Sequence, residues 1–279
     1  MKLSLSTRIA ESSSAKDRAE MAIEALAPAA KAAGFAGLSM RASQLSVETP
    51  PQRIAAVARL IAAEGLAVSM VMGNVALAAN TPDAPGVLRR IGPHLDLADR
   101  LGCKLVRVML HHQDDIPAAQ RAADEAAERG ISLAQQTHWG TPCETVEQTL
   151  DVVARVGRHN FGITFEPANL LACGERDVNG AVQRLAPHIV NFYYQNARLD
   201  AGGSHRFATR ARGNVQITYV PLDAPSEIPA GPLIERMGRC GYDGWITVHQ
   251  PLREGQTVLD AIGEAARVFG PLVSAHPAS

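Results

Sequence analysis

The chain has 279 residues, of which 46% are hydrophobic, and its formal net charge is −1. This length allows a sizeable core in one large α/β domain or two small ones. The near-zero charge favours neither a nucleic-acid partner nor an anionic membrane surface. No apolar run approaches the length that spans a bilayer, and Met1–Arg8 is too short and too polar for a secretory signal. The cysteines form no close pair, which indicates free thiols in a reducing cytoplasm rather than a zinc knuckle or a disulfide framework.

Short apolar runs with β-type residues alternate with Ala-rich amphipathic segments along the whole chain. The runs predict eight strands, at Leu3–Thr7, Gly37–Met40, Ala67–Met72, Leu105–Leu110, Ser132–Gln136, Gly162–Glu166, Ile189–Tyr194 and Trp245–His249. The amphipathic segments predict helices at Ala15–Ala33, Pro51–Ala63, Gly86–Leu101, Ala118–Arg129, Glu144–Val156, Asn179–Leu185, Gly231–Cys240 and Gln256–Phe269.

Eight strand–helix pairs in this length predict an α/β fold of the (β/α)8 TIM-barrel type, with an open doubly wound sheet as the alternative. No GxGxxG or GxxxxGK[ST] motif follows the first strand, so no nucleotide cofactor is expected. Nothing resembles an interdomain linker, and we expect one domain over residues 1–279. Residues 199–229 are too long for an ordinary loop and contain a strand-like run, Val215–Val220. They are expected to form a lid or a substrate-binding loop.

Polar side chains follow the predicted strands, where a barrel would bring them together in one pocket. Two of them end buried strands: Glu166 is expected to act as a metal ligand or general base, and His249 as an acid or base. An ion pair between Glu166 and a cation such as Arg41 is the structural alternative. The residues expected to bind substrate are Arg41, Asn74, His111, Trp139, Asn169, Gln195 and Asn196. In the long loop, His205, Arg206, Arg210 and Arg212 form either an anion site or a solvated surface.

The sequence resembles the sugar phosphate isomerase/epimerase superfamily, the xylose-isomerase-like TIM barrels. The segment Phe35–Arg41 is similar to the second strand of that family, and Gly241–His249 is similar to the run into its eighth strand. The resemblance implies one divalent metal, held by Glu, Asp, His and Glu at the ends of the fifth to eighth strands. In this sequence those four positions are occupied by Gln136, Glu166, Tyr193 and His249.

None of the four positions keeps the residue that the resemblance implies. Glutamine cannot take up the proton that a glutamate base would accept, so two-carboxylate chemistry is not expected. A mixed nitrogen and oxygen site from Gln136, His138, Glu166 and His249 is still a possible metal site. Such ligands suit manganese, iron, cobalt or zinc better than magnesium or calcium.

Three functions follow from these observations. The first is a cytoplasmic sugar isomerase or epimerase, or a lyase of the same family, that removes a proton beside a carbonyl of a carbohydrate or keto-polyol. In that enzyme a metal or Arg41 would stabilise the enediolate. The second is a catalytically silent sugar-binding barrel or a subunit of a larger enzyme. The third is an apurinic endonuclease, which the charge and the sparse ligand set disfavour. A small-molecule partner is expected, without nucleic acid or membrane, and the Ala-rich helices allow a homo-oligomer.

Overall fold

The computed structural model describes residues 1–276, and the last three residues of the predicted domain, 277–279, lie outside this range. Eight parallel strands close into a barrel in the order β1-β11-β7-β6-β5-β4-β3-β2. The barrel strands are β1 (Lys2–Ser6), β2 (Gly37–Met40), β3 (Ala67–Val71), β4 (Leu105–Val108), β5 (Ser132–Gln136), β6 (Phe161–Phe165), β7 (Ile189–Tyr194) and β11 (Trp245–Val248). The predicted TIM barrel is therefore confirmed, and the open doubly wound sheet is wrong.

Helices surround the barrel and bury their apolar faces against it. They are α1 (Ile23–Ala32), α2 (Pro51–Ala63), α3 (Val75–Ala79), α4 (Gly86–Arg89), α5 (Gly92–Arg100), α6 (Ile116–Ala127), α7 (Val146–Val156), α8 (Pro167–Cys173), α9 (Val178–Leu185), α10 (Ala230–Arg239) and α11 (Val258–Ser274). In α7, for example, Val146, Val152, Val153 and Val156 are buried. Within residues 1–276, no helix combines the length and the apolar character needed to cross a membrane.

Three predicted helices differ from those observed by more than two residues, and the last of them continues to Ser274 instead of ending at Phe269. The first helix begins at Ile23 instead of Ala15, because the preceding residues form an irregular segment in which Glu11 and Ala19 pair as an isolated bridge. The predicted helix Gly86–Leu101 is divided between α4 and α5. The break lies at Arg90, whose backbone is not helical (φ −143°, ψ 63°). Pro93 then lies in the first turn of α5, where its missing N–H leaves no helical hydrogen bond unmade.

The long insertion forms a three-stranded antiparallel sheet beside the barrel opening. Its strands are β8 (Ala197–Leu199), β9 (His205–Thr209) and β10 (Gly213–Tyr219), with β10 in the centre. The sequence analysis indicated one strand here, at Val215–Val220, and β10 covers most of that run. We call the residues from Ala197 to Tyr219 the cover sheet.

Polar side chains occupy part of the barrel interior, and they bond to one another. The Ser4 and Ser69 hydroxyls lie 2.7 Å apart, and the Ser39 hydroxyl lies 2.7 Å from the Tyr193 hydroxyl. Because buried polar groups need partners, these cross-barrel pairs provide the buried hydroxyl groups with hydrogen bonds.

Candidate active site

A cavity of about 90 Å³ lies at the carboxyl ends of the barrel strands, under the cover sheet. Seven barrel strands contribute a polar side chain from their last residues or from just beyond them. Loops and the cover sheet complete the lining. The lining residues are Arg8, Lys16, Arg41, Ala78, Asn80, Arg107, Gln136, His138, Trp139, Glu166, Asn169, Gln195, Phe207, Tyr219 and His249.

Glu166 follows β6 directly, and its side chain is completely buried. Its carboxylate accepts hydrogen bonds from the amides of Gln136 and Gln195, and from Asn169 at 2.9 Å. Burial raises the pKa of Glu166 to about 7, although Arg8, the Gln136 amide and Arg107 act in the opposite direction. Within the described chain it forms no ion pair, so the predicted structural alternative, an ion pair with Arg41, is not what holds it. Glu166 therefore changes its charge near neutral pH.

His249 follows β11 and faces the same cavity. Its ring stacks on Tyr193, with centroids 3.9 Å apart, and its Nδ1 lies 2.8 Å from the Ser6 hydroxyl. That hydroxyl already accepts from the Arg8 backbone N–H, so its own proton is available to Nδ1. The ring proton then belongs on Nε2. Burial, followed by Arg8 and Arg41, lowers the pKa of His249 well below its usual value, and the imidazole is neutral.

Arg41 is buried and paired with a different carboxylate. Its Nε donates to Glu11 at 2.6 Å and its Nη2 donates to the second oxygen of Glu11 at 2.9 Å. Lys16 reaches the same carboxylate at 3.0 Å. Together these charges lower the pKa of Glu11, against the effect of its burial. One carboxylate thus serves two cations at this edge of the cavity.

Arg107 points into the barrel from β4 and is fully buried without a carboxylate partner. Its Nη1 donates to the Leu77 carbonyl and its Nη2 to Oδ1 of Asn80, each at 2.7 Å. Its Nε has no hydrogen-bond partner in the described chain. Burial lowers the pKa of Arg107 to about 10, so it is still charged at neutral pH.

Asn80 and His138 continue from Arg107 as a hydrogen-bonded chain. The Asn80 amide lies 2.9 Å from Nε2 of His138, whose Nδ1 lies 2.7 Å from the Trp139 carbonyl. Since Asn80 accepts from Arg107, its nitrogen donates to His138, and the imidazole proton is on Nδ1. Burial, followed by Arg107, lowers the pKa of His138 to about 3. Asn80 has a left-handed backbone (φ 52°), unlike any other non-glycine residue among 1–276.

The cover sheet closes the cavity through an aromatic contact and a buried carboxylate. Phe207 stacks on Trp139, with centroids 5.1 Å apart. Glu144, buried at the start of the segment before α7, accepts from the backbone N–H of Arg210 at 2.8 Å and of Ala211 at 2.7 Å. Its Oε1 also accepts from Gly140 at 2.6 Å. The turn between β9 and β10 is thereby fixed to the loop after β5.

Three predicted substrate-binding residues do not line the cavity. Asn74 instead caps α3, with its Oδ1 accepting from Leu77 N–H at 2.8 Å. His111 is half-buried beside the cover sheet, where its carbonyl accepts from Arg210. The Asn196 amide donates to the Pro221 carbonyl at 2.6 Å and to the Ala224 carbonyl at 2.9 Å. The Asn74 and Asn196 side chains bond to neighbouring backbone groups, and the structure does not bring these three residues to the cavity.

The other predicted residues meet in the cavity, together with several that the sequence analysis missed, among them Arg107 and Asn80. Arg41, Gln136, His138, Trp139, Glu166, Asn169, Gln195 and His249 all line it. Arg107 was missed because it lies inside a strand and not after one. An arginine within the buried run Leu105–Val108 was the available signal. Asn80 belongs to a loop after a short helix, and no sequence pattern marked it.

The sequence matches the xylose isomerase-like TIM barrel family over residues 27–270. The chain belongs to that family. No curated protein matches it significantly. Similar solved structures include a probable 3-DHS dehydratase, AsbF, from Bacillus anthracis, with 17% identity, 97% and 99% of the two chains covered, and a TM-score of 0.72. D-Psicose 3-epimerase from Clostridium cellulolyticum H10 has 12% identity, 98% and 99% coverage, and a TM-score of 0.66.

A third member of the xylose isomerase-like family, from Mycobacterium smegmatis, was solved in complex with magnesium. It has 15% identity, 98% and 97% coverage, and a TM-score of 0.70. At these identities the likenesses establish the fold, and divalent metal is a feature of solved relatives. The relatives include enzymes with different reactions, so the reaction of this chain must be argued from its own residues.

The donor set in this family member does not fit a divalent metal. Among residues 1–276, no three His, Cys, Asp or Glu side chains converge as ligands. The oxygens of Glu166 accept from three amide N–H groups, which occupy most of the lone pairs that a metal would need. Both nitrogens of His138 are likewise bonded. One cavity is lined by Gln136, His138, Glu166 and His249, but most of their polar atoms already form hydrogen bonds with other protein atoms.

Proposed function

We propose that this chain is an enzyme that moves a proton between neighbouring carbons beside a carbonyl, with Glu166 as its base. The observation that carries the proposal is the environment of Glu166. It is the single carboxyl among the described lining residues, it is fully buried, and its pKa is raised to about 7. A general base is most effective when its pKa lies near the working pH.

The single base favours isomerisation over epimerisation. Epimerisation of the two-carboxylate kind needs a second base on the opposite face of the substrate, and Glu166 is the single carboxyl among the described lining residues. Gln136, which donates to Glu166, is an amide and not basic. One carboxylate can remove a proton from one carbon and return it to the next carbon on the same face. Elimination of a neighbouring hydroxyl also begins with one base, so product analysis has to separate these two reactions.

The cationic side chains support the intermediate. When Glu166 takes the proton, the electron pair moves onto the carbonyl oxygen and forms an enediolate. The guanidinium groups of Arg8 and Arg107 lie at the same cavity and provide fixed positive charge for it. His249 has its ring proton on Nε2, a neutral donor that can carry the hydroxyl proton from one enediolate oxygen to the next.

Solvent exchange tests this function. Wild-type protein in D2O is expected to introduce deuterium beside the carbonyl of at least one member of a panel of aldoses, ketoses and their short acid and phosphate derivatives. Glu166→Gln is expected to slow the exchange about 10³-fold, because the amide accepts no proton. The matched control is Glu128→Gln, an exposed residue after α6, which is expected to leave the rate unchanged. A silent sugar-binding barrel predicts no exchange on any compound.

A further inference from the structure

The positive charge of the cavity exceeds what the protein itself neutralises. Four basic side chains line it: Arg8, Lys16, Arg41 and Arg107. The carboxylates available are Glu11, which pairs with Arg41 and Lys16, and Glu166. Arg8 and Arg107 form no ion pair within residues 1–276. A buried charge without a counter-ion is costly, so this arrangement indicates a place for an anion from outside.

Arg107 carries the argument further, because its hydrogen bonds are incomplete. A guanidinium has five N–H donors. Two of them bond strongly here, to the Leu77 carbonyl and to Asn80, and Nη1 also lies 3.5 Å from the Met72 sulfur. Neutral acceptors hold its orientation but leave its charge unpaired. An unpaired buried arginine therefore indicates a role in binding, since an apolar residue of similar volume would pack at a lower free-energy cost.

Arg8 is the second unpaired cation, and it is half-buried at the end of β1. Its Nη1 lies 3.5 Å from the His249 carbonyl, and its side chain also contacts the uncharged Tyr219 hydroxyl. It also stands close enough to Glu166 to lower the pKa of that carboxyl. Arg8 therefore lies beside both reacting groups, His249 and Glu166.

The size of the cavity limits the anion. About 90 Å³ equals the volume of roughly three liquid water molecules, at about 30 Å³ each. A three-carbon acid with hydroxyl groups has seven non-hydrogen atoms, whereas a hexose phosphate has more than twice as many. The cavity therefore fits a short acid better than a hexose phosphate.

We propose that the substrate carries a carboxylate, and that Arg107 and Arg8 bind it. This inference deepens the proposed function by naming its substrate class. The planar guanidinium groups supply paired N–H donors for the two carboxylate oxygens. The same positive charge then stabilises the enediolate that forms one bond away. The loop arginines 206, 210 and 212 do not line the cavity and have no part in this site.

Binding of three matched compounds tests the inference without turnover. Glycerate, glycerol and glycerol 3-phosphate share a three-carbon skeleton and differ in the group at one end. Glycerate is expected to bind at least about tenfold more tightly than glycerol by calorimetry, because charge-assisted hydrogen bonds replace neutral ones. Equal binding of glycerate and glycerol would overturn the anion site. Preference for glycerol 3-phosphate over glycerate would overturn the carboxylate assignment.

Variants then connect the binding to the two arginines. Arg107→Met is expected to weaken glycerate at least about thirtyfold and to leave glycerol unchanged. Arg8→Met, at a half-buried position that the fold tolerates more easily, is expected to act in the same direction. The control is Arg121→Met on the exposed face of α6, which is expected to bind both compounds as the wild type does. Unchanged glycerate binding in both Arg107→Met and Arg8→Met would overturn the proposal.

Chelation tests the metal-free part. Glycerate binding is expected to be the same before and after EDTA treatment, and unchanged by added Mn²⁺ or Zn²⁺. Loss of binding with EDTA would overturn the role given to the arginines. Glycerate that binds as expected, in a protein that exchanges no deuterium with any compound, would leave this inference standing and contradict the proposed function alone.

Discussion

The two sides of the cavity differ in chemistry. The strands from β1 to β4, with the loop after α3, contribute arginines and the asparagine that orients one of them. The strands from β5 to β11 contribute a carboxyl group, amides and a neutral imidazole. Arg107 on the first side keeps its charge at neutral pH, whereas Glu166 on the second side titrates near pH 7. Binding and proton transfer are therefore assigned to different walls of the cavity, which meet at Arg8, where β1 lies beside β11.

The pH dependence of kcat/KM should show the largest difference between the two walls, because it reports the ionisation of Glu166. We expect kcat/KM to fall about tenfold per pH unit below pH 7, and about a hundredfold by pH 5, because the ionised form of Glu166 is the base. Burial sets this raised pKa, and Arg8 is the strongest influence against it. In Arg8→Met the acid limb should therefore move to higher pH, in addition to any loss of substrate binding.

A pH–rate profile measured for both proteins checks this expectation, with Arg121→Met as the charge-matched control. A limb that stays in place in Arg8→Met would show that Arg8 does not act on the base. A limb that survives unchanged in residual Glu166→Gln activity would assign it to another group.

Asn80 joins the two walls, since it bonds Arg107 through its oxygen and His138 through its nitrogen. In Asn80→Gly both bonds are lost while the left-handed backbone stays easy to adopt. We expect about a tenfold rise in KM, because Arg107 loses a charge-assisted hydrogen bond that orients it. The thermal midpoint should change little.

Steady-state kinetics and a melting curve of Asn80→Gly separate these effects. A fall in kcat at constant KM would place Asn80 with the proton-transfer wall instead. Asn80→Asp offers a further comparison, because it keeps the acceptor for Arg107 and the backbone preference.

The smallest effect on activity is expected at Asn74, which follows a barrel strand but does not reach the cavity. Asn74→Ala should reduce the free energy of unfolding by about 1 kcal/mol, because the cap of α3 is lost. Its KM and kcat should match the wild type. Denaturant unfolding and kinetics on the same preparation test both parts, and a KM change larger than that of Asn80→Gly would return Asn74 to the substrate site.

The sequence specified the barrel well because strand and helix periods are local signals. Every predicted strand corresponds to an observed one, with ends that differ by at most two residues. The divided helix at Arg90 and the late start of α1 depend on tertiary packing, which no local period records. The three strands of the cover sheet were reduced to one prediction, because β8 and β9 are short and largely polar.

The candidate site was predictable where the rule about strand ends applies. Glu166, His249 and Gln195 follow strands and meet in the cavity. The same rule selected Asn74 and Asn196, because it cannot distinguish a side chain that faces the axis from one that bonds nearby backbone. It also passed over Arg107, which reaches the cavity from within β4. A charged residue inside a buried strand is a second rule that sequence analysis of barrels can use.

The attachment of the cover sheet has a consequence for how such proteins diversify. Glu144 recognises the turn between β9 and β10 through the main-chain N–H groups of Arg210 and Ala211, and not through their side chains. Glu144 therefore places no requirement on the side chains of those two residues, although the Arg210 side chain also bonds to the His111 carbonyl. A hairpin with the same turn geometry but different side chains toward the cavity could replace the present one. The barrel would then bind a different molecule while its own catalytic residues stayed unchanged.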